Sequence, residues 1–135
     1  MSRQQGFSSL LMVLLLLVLG STLLQGLNQR QRALLAQTAE ETRAIRETAG
    51  AHSALQWGKA QSWSIDNPEA CLHAGNDDWR ACLRIFSDAS VLLIASGGSI
   101  LLWQSGWVEK GVVRFSPHGW SDFCPLTEVE LCQMP

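Results

Sequence analysis

The strongest constraint on this chain is a long stretch without charge. From Gln4 to Gln29 there is no ionisable side chain, and Leu10 to Leu19 are ten unbroken apolar residues. Phe7 to Leu27, mostly Leu, Val and Met, is twenty-one residues. As a helix rising about 1.5 Å per residue it reaches roughly 31 Å, enough to cross a bilayer core of about 30 Å. A short start followed by an apolar run also describes a secretory signal. Here, however, Gly20-Ser21-Thr22-Leu23-Leu24-Gln25-Gly26 offers no good Ala-x-Ala-like cleavage site, and no Cys follows that could become a lipidated N-terminus. The small residue at a junction is Gly6, ahead of the apolar run.

In a chain of 135 residues, what remains beyond the apolar segment suffices for a helical extension and one small domain, with no room for a second core. The net charge of −2, with acids and bases mixed along the polar part, provides neither a basic nucleic-acid surface nor an acidic tail, so no nucleic-acid partner is expected. The four cysteines, Cys71, Cys82, Cys124 and Cys132, all lie beyond the apolar segment. Four cysteines allow three pairings. Closeness in sequence favours Cys71 with Cys82 and Cys124 with Cys132, and the crossed pairings stay open. On the far side of a membrane disulfides are the expected state, each contributing about 2 to 4 kcal/mol to a small domain. No Cys-x-x-Cys is present, and His73 and His118 complete no familiar ligand set, so no metal or other cofactor is expected.

From Asn28 to about Ser62 the chain has no Pro and is rich in Ala, Gln, Glu, Arg and Leu, which predicts that the apolar helix continues into water. A thin stripe, Leu35, Thr38, Thr42, Ile45, Ala49, His52 and Leu55, marks its packing face, with His52 read as a packing residue. Glu40 with Arg43 and Arg43 with Glu47 can pair on the solvated side, at about 0.2 to 0.5 kcal/mol each. Gly20 and Gly26 weaken the apolar helix and permit close helix contact. Pro68 closes the helical region, with Ser64 to Pro68 read as a loop. Trp79 to Phe86 is a short apolar-rich run. Val91 to Ala95 and Ile100 to Trp103 flank Ser96-Gly97-Gly98-Ser99, a hairpin signal, and Val112 to Phe115 follows Glu109-Lys110-Gly111 as a returning third strand. Ser116 to Pro135 reads as a disulfide-tied loop. The expected fold class is therefore α+β: a long N-terminal helix packed on a small antiparallel sheet of three short strands.

Six Trp and no Tyr leave two uses for Trp57, Trp63, Trp103, Trp107 and Trp120, a contact surface or, more in keeping with a small domain, its core. Ser116, His118 and Asp122 occur close together, but no nucleophile elbow, phosphate loop or His-Glu-x-x-His is present, so no enzyme and no small-molecule substrate are expected.

The junction Gln5-Gly6-Phe7-Ser8-Ser9-Leu10-Leu11 resembles a prepilin processing site, and the chain resembles a minor type IV pilin, close to the YgdB-like group of enterobacterial prepilin-like proteins. That likeness extends to the segment Phe115-Ser116-Pro117-His118-Gly119-Trp120-Ser121-Asp122-Phe123-Cys124-Pro125. The resemblance implies that a prepilin peptidase cuts after Gly6 and that Phe7 is then N-methylated. It divides the chain into a leader (1–6), the membrane-spanning and fibre-core half of the helix (7–27), its soluble half (28–62) and a small periplasmic head (63–135). It further implies the type IV pilin fold, assembly with other minor pilins and the major pilin, and a role for the segment Cys124 to Cys132 in subunit contacts. A loop pinned only for stability is the equal alternative for that segment. Family subunits carry Glu at the fifth mature position, where this chain has Leu11. That Glu neutralises the N-terminal ammonium of a neighbouring subunit, and a buried unpaired ammonium costs several kcal/mol. Its absence favours a tip or initiating subunit of a type IV pilus or a type II secretion pseudopilus. The alternative is an unprocessed single-pass inner-membrane scaffold that binds partners through its periplasmic domain. A tip adhesin or DNA-uptake subunit is a narrower possibility for which the sequence supplies no ligand. The charge flanks conflict, since Arg3 precedes the apolar run while Arg30 and Arg32 follow it. The processing junction and the cysteines, not the charges, place the N-terminus in the cytoplasm.

Overall fold

A computed structural model describes residues 2–75 and 78–135, with side chains from residue 6 onward. One helix, α1 (Ser2–Lys59), is followed by strands β1 (Glu69–His73), β2 (Trp79–Ile85), β3 (Ser90–Gly97), β4 (Ile100–Glu109) and β5 (Val112–Ser121), and by a short 3-10 helix, Val129–Cys132. The chain forms two compact units, one ending at Thr42 and one running from Arg43 to Pro135.

The first unit is helical throughout its described residues. The described side chains from Gly6 to Thr42 are exposed, Gly20 being half-covered, and Leu10 to Leu19 each leave 53 to 66 % of their surface open. Apolar surface in water costs about 25 cal/mol per Å², so this segment requires apolar surroundings. It is long and apolar enough to cross a membrane. Its hydroxyls are satisfied on the helix itself, Thr22 donating to the Leu19 carbonyl at 2.9 Å and Thr38 to that of Leu34 at 2.8 Å.

In the second unit the end of α1 packs on a five-stranded antiparallel meander, ordered β1-β2-β3-β4-β5. β3 explains the two-sided core. Val91, Leu93 and Ala95 face α1 and join Ala51, Ala54, Leu55, Ala81, Leu83 and Leu102. The alternate residues Leu92 and Ile94 face the other way and pack with Cys132, Trp103, Leu126 and Met134. A strand covered on both faces reads as a continuous apolar run because both alternating sets are buried. α1 lies very close to the sheet. A Cβ on Gly97 would collide with the backbone of Gly50 and Ala51, and one on Gly58 would come within 2.8 Å of Ala81 Cβ. The contact is therefore built from glycine and alanine, where large side chains would hold the elements apart.

The long helix on a small antiparallel sheet is as expected, but several details differ. The sheet has five strands, not three, because β1 and β2 also pair. β1 has only Ala70 and Leu72 as large or small apolar residues beside its cysteine, so its own pattern is weak. The helix ends at Lys59 and not near Ser62: Ala60 N–H shares the Gln56 and Trp57 carbonyls, and Trp63 Nε1 donates to the Gly58 carbonyl at 2.8 Å, closing the last turn. Of the expected stripe only His52 and Leu55 are covered. Leu35 and Ile45 are about 70 % exposed, and the covered face is Glu47, Gly50, Ala51, Ala54, Leu55 and Gly58. Ser116 to Ser121 is not loop but the second half of β5, resumed after an excursion. Phe115 pairs with Gly106 and Trp120 with Gln104, so residues 116–119 stand against Ser105 alone.

Candidate functional site

The Gly6–Phe7 junction, expected from the sequence to be a processing site, lies in α1. Phe7 and Leu11 are exposed, at 72 % and 53 %, and a Cβ on Gly6 would meet nothing within 4 Å. Of the expected leader, Met1 lies outside the described residues, and the side chain of Arg3 is likewise outside them. Because the helix begins at Ser2, the Gly6–Phe7 bond lies within its first turns. A protease acting there must unwind those turns to reach the bond. Glycine lowers that cost, since it is about 1 kcal/mol less favourable than Ala in a helix. No ionisable side chain occurs near Leu11, so the segment itself offers no carboxylate to a neighbouring ammonium.

The cysteines pair locally. Cys71–Cys82 joins β1 to β2 between residues directly opposite in register. Cys124–Cys132 closes the loop after β5. This second loop is a strap across the sheet face opposite α1. Trp103 Nε1 donates to the Cys132 carbonyl at 2.9 Å, Arg80 Nη2 to that of Pro135 at 2.7 Å and Arg84 Nη2 to that of Gln133 at 3.2 Å. Arg84 also pairs with Glu69 at 2.9 Å. Cys132 is buried, while Phe123 and Val129 point outward. The strap thus has one face in the core and one exposed.

Glu47 ties α1 to the β3–β4 turn. It accepts from the Ser99 hydroxyl and from Arg43 Nε at 2.8 Å. The Ser99 bond, then that of Arg43, hold its carboxyl below the usual glutamate range. Asp88 closes the β2–β3 turn by accepting from the Ser90 hydroxyl at 2.6 Å and amide at 3.0 Å; the hydroxyl first and the amide second hold its carboxyl low.

Trp57, Trp63 and Trp79 edge the α1-side core and Trp103 the opposite one. Trp107 and Trp120 are exposed. Trp120 stands edge-on to His52 with ring centroids 5.1 Å apart, so His52 is a packing residue. Ser116 and His118 share the β5 excursion, where the Ser116 carbonyl accepts from Gln104 Nε2 at 2.6 Å, and His118 and Asp122 are exposed. Among the described residues no group of three or more His, Cys, Asp or Glu is placed to hold a metal. Sequence reasoning missed the Glu47–Ser99 tie and the Arg80 and Arg84 contacts. The signal for the latter was present: arginines two residues either side of Cys82 share its face of the strand.

The family profile described as "Protein of unknown function (DUF2509)" matches residues 15–132. No curated protein and no solved structure matches.

Proposed function

The chain belongs to the DUF2509 family, and on that premise we propose that it is a minor, prepilin-like subunit that initiates or caps a type IV pilus or a related pseudopilus. The observation that carries this reading is the Gly6–Phe7 junction at the head of an exposed, membrane-length apolar segment of α1. The disulfides fit a head in an oxidising compartment. In this reading the chain is a single-pass inner-membrane protein with its N-terminus cytoplasmic and its head periplasmic. It is cut after Gly6, methylated at Phe7, and moves to a pilus tip with other minor pilins and the major pilin as partners. Its role is assembly and not catalysis.

One observation favours a second reading, an uncut membrane scaffold: the basic pair Arg30 and Arg32 follows the apolar segment where a cytoplasmic flank would carry it. Intact-mass measurement of the full chain, co-expressed with and without a prepilin peptidase, separates the two. Loss of residues 1–6 with the gain of one methyl group is the expected result. A chain left whole, while a known prepilin in the same cells is fully cut, would favour the scaffold and remove the main support for the pilin reading.

A further inference from the structure

Arg30 is a cation beside an apolar segment that holds no acid. From Gln4 to Ala39 the only ionisable side chains are Arg30 and Arg32, and the first carboxylate, Glu40, stands ten residues beyond Arg30, about 15 Å along the helix. The depth of Arg30 follows from the span. Leu27 is the last residue of the apolar stretch, so with that stretch filling a bilayer core, Arg30 comes about 4.5 Å past the hydrocarbon edge. A headgroup layer is about 5 to 7 Å deep on each side. Arg30 therefore falls within it, and Arg32, at about 7.5 Å, falls at its outer margin.

The helix surface next to Arg30 is hollow. Thr22, Leu23, Gly26, Leu27 and Arg30 line one groove on α1, and a Cβ on Gly26 would meet nothing within 4 Å. Residues 22, 26 and 30, spaced four apart, stack on one face, and side chains on a helix lean toward its N-terminus. The stem of Arg30 is thus directed back over Gly26, toward the apolar stretch. Leu23 and Leu27, 68 % and 59 % exposed, supply apolar walls. The Thr22 hydroxyl donates to the Leu19 carbonyl at 2.9 Å, which leaves the Arg30 guanidinium as the free donor at the groove's mouth. Arg32 lies about 200° round the helix from Arg30 and does not line the groove.

We propose that this groove binds one anionic glycerophospholipid. The Arg30 guanidinium takes the phosphodiester, and the hollow over Gly26 takes the glycerol and the upper acyl chain between Leu23 and Leu27. A guanidinium presents paired N–H donors that match two phosphate oxygens. A charge beside hydrocarbon is costly until an anion neutralises it. A zwitterionic headgroup carries its own cation to the phosphate, whereas an anionic one leaves the guanidinium as the counter-charge. The site rests on the membrane-spanning part of the proposed function and not on the cut after Gly6. It takes the same lipid whichever side of the membrane the basic pair occupies.

The test reconstitutes the full chain in nanodiscs holding equal amounts of phosphatidylglycerol and phosphatidylcholine with the same acyl chains, and identifies the retained lipid by native mass spectrometry. Phosphatidylglycerol should be retained over phosphatidylcholine by about fivefold, the usual contribution of one basic side chain at an anionic surface. Arg30→Gln and Gly26→Leu, the first removing the charge and the second filling the hollow, should each bring that ratio to about one, while Arg32→Gln should leave it within about twofold of the unaltered chain. No preference in the unaltered chain, a preference kept by Arg30→Gln or by Gly26→Leu, or a loss in Arg32→Gln as large as that in Arg30→Gln overturns the site. Release of the lipid by inorganic phosphate in detergent overturns it in favour of a free-anion site. A dimeric mass that Gly26→Leu abolishes overturns it in favour of a second copy in the groove. A chain not held in the discs at all removes the membrane reading together with the site, and a chain held in them without lipid preference removes the site alone. An uncut Gly6–Phe7 bond removes the pilin reading and leaves the site standing.

Discussion

Gly97 occupies a place where a side chain has no room. A Cβ there would run into the carbonyl carbon of Gly50 and the amide of Ala51, and backbone cannot rotate away as a side chain can. Gly97→Ala should therefore destabilise the 43–135 unit by about 1 to 3 kcal/mol, the usual range for overpacking, read as a lower urea midpoint in the near-UV tryptophan signal. Gly26→Ala is the contrasting change, because nothing lies within 4 Å of its Cβ, and that signal should not move. Glu47 makes a pH prediction with a definite sign. Its folded-state carboxyl titrates below the ordinary glutamate range because Ser99 and Arg43 bond the charged form. A depressed folded value means that the contribution is complete above the unfolded glutamate range and is lost as pH falls through the folded one. Glu47→Gln should thus lower the unfolding midpoint slightly at neutral pH and not at all in acid, and added salt should shrink the difference, since its partner Arg43 is largely exposed. A midpoint difference that persists unchanged in acid would rule out the charge as its source.

At the scale of elements, the strap after β5 is the piece whose contribution can be isolated. It covers Leu92 and Ile94 and is closed by Cys124–Cys132. Replacing both cysteines by Ser should remove about 2 to 4 kcal/mol, toward the lower end because the closed loop is short. It should also shift the emission of Trp103, whose indole N–H donates to the Cys132 carbonyl. Unchanged emission would mean that the strap stays seated without its disulfide. The need for a second cover was legible in Val91 to Ala95: an unbroken apolar run in a strand implies burial on both faces. Which segment supplied that cover was not legible, because Ser116 to Pro135 has no sustained period, and its contacts with Arg80 lie 55 residues away in sequence. β1 escaped notice for a related reason, since Glu69 to His73 has little apolar pattern and is placed by its partner strand and its disulfide.

For the molecule as a whole, the prediction that matters concerns position 11. If the chain sits at a fibre tip, Leu11→Glu should restore the carboxylate that neutralises a neighbour's ammonium and should increase its incorporation along the fibre, counted by immunolabelling against the tip. Incorporation unchanged in place and frequency would contradict the tip reading. The sequence alone determined the features that depend on local chemistry: an apolar segment of bilayer length, a helix that continues past it without proline, and a β3–β4 turn at Gly98 with φ of 67°; it favoured the local disulfide pairing, which the structure fixed. Only the tertiary structure decided which helix face is buried and what lies on each side of the sheet. α1 meets the sheet through Gly50, Ala51, Ala54 and Gly58, residues with little or no hydrophobic signal of their own, and Glu47 meets Ser99 across 52 positions of chain. Periodicity records how apolar a side chain is. Close packing selects for how small it is, and that requirement exists only once two distant backbones have been brought together.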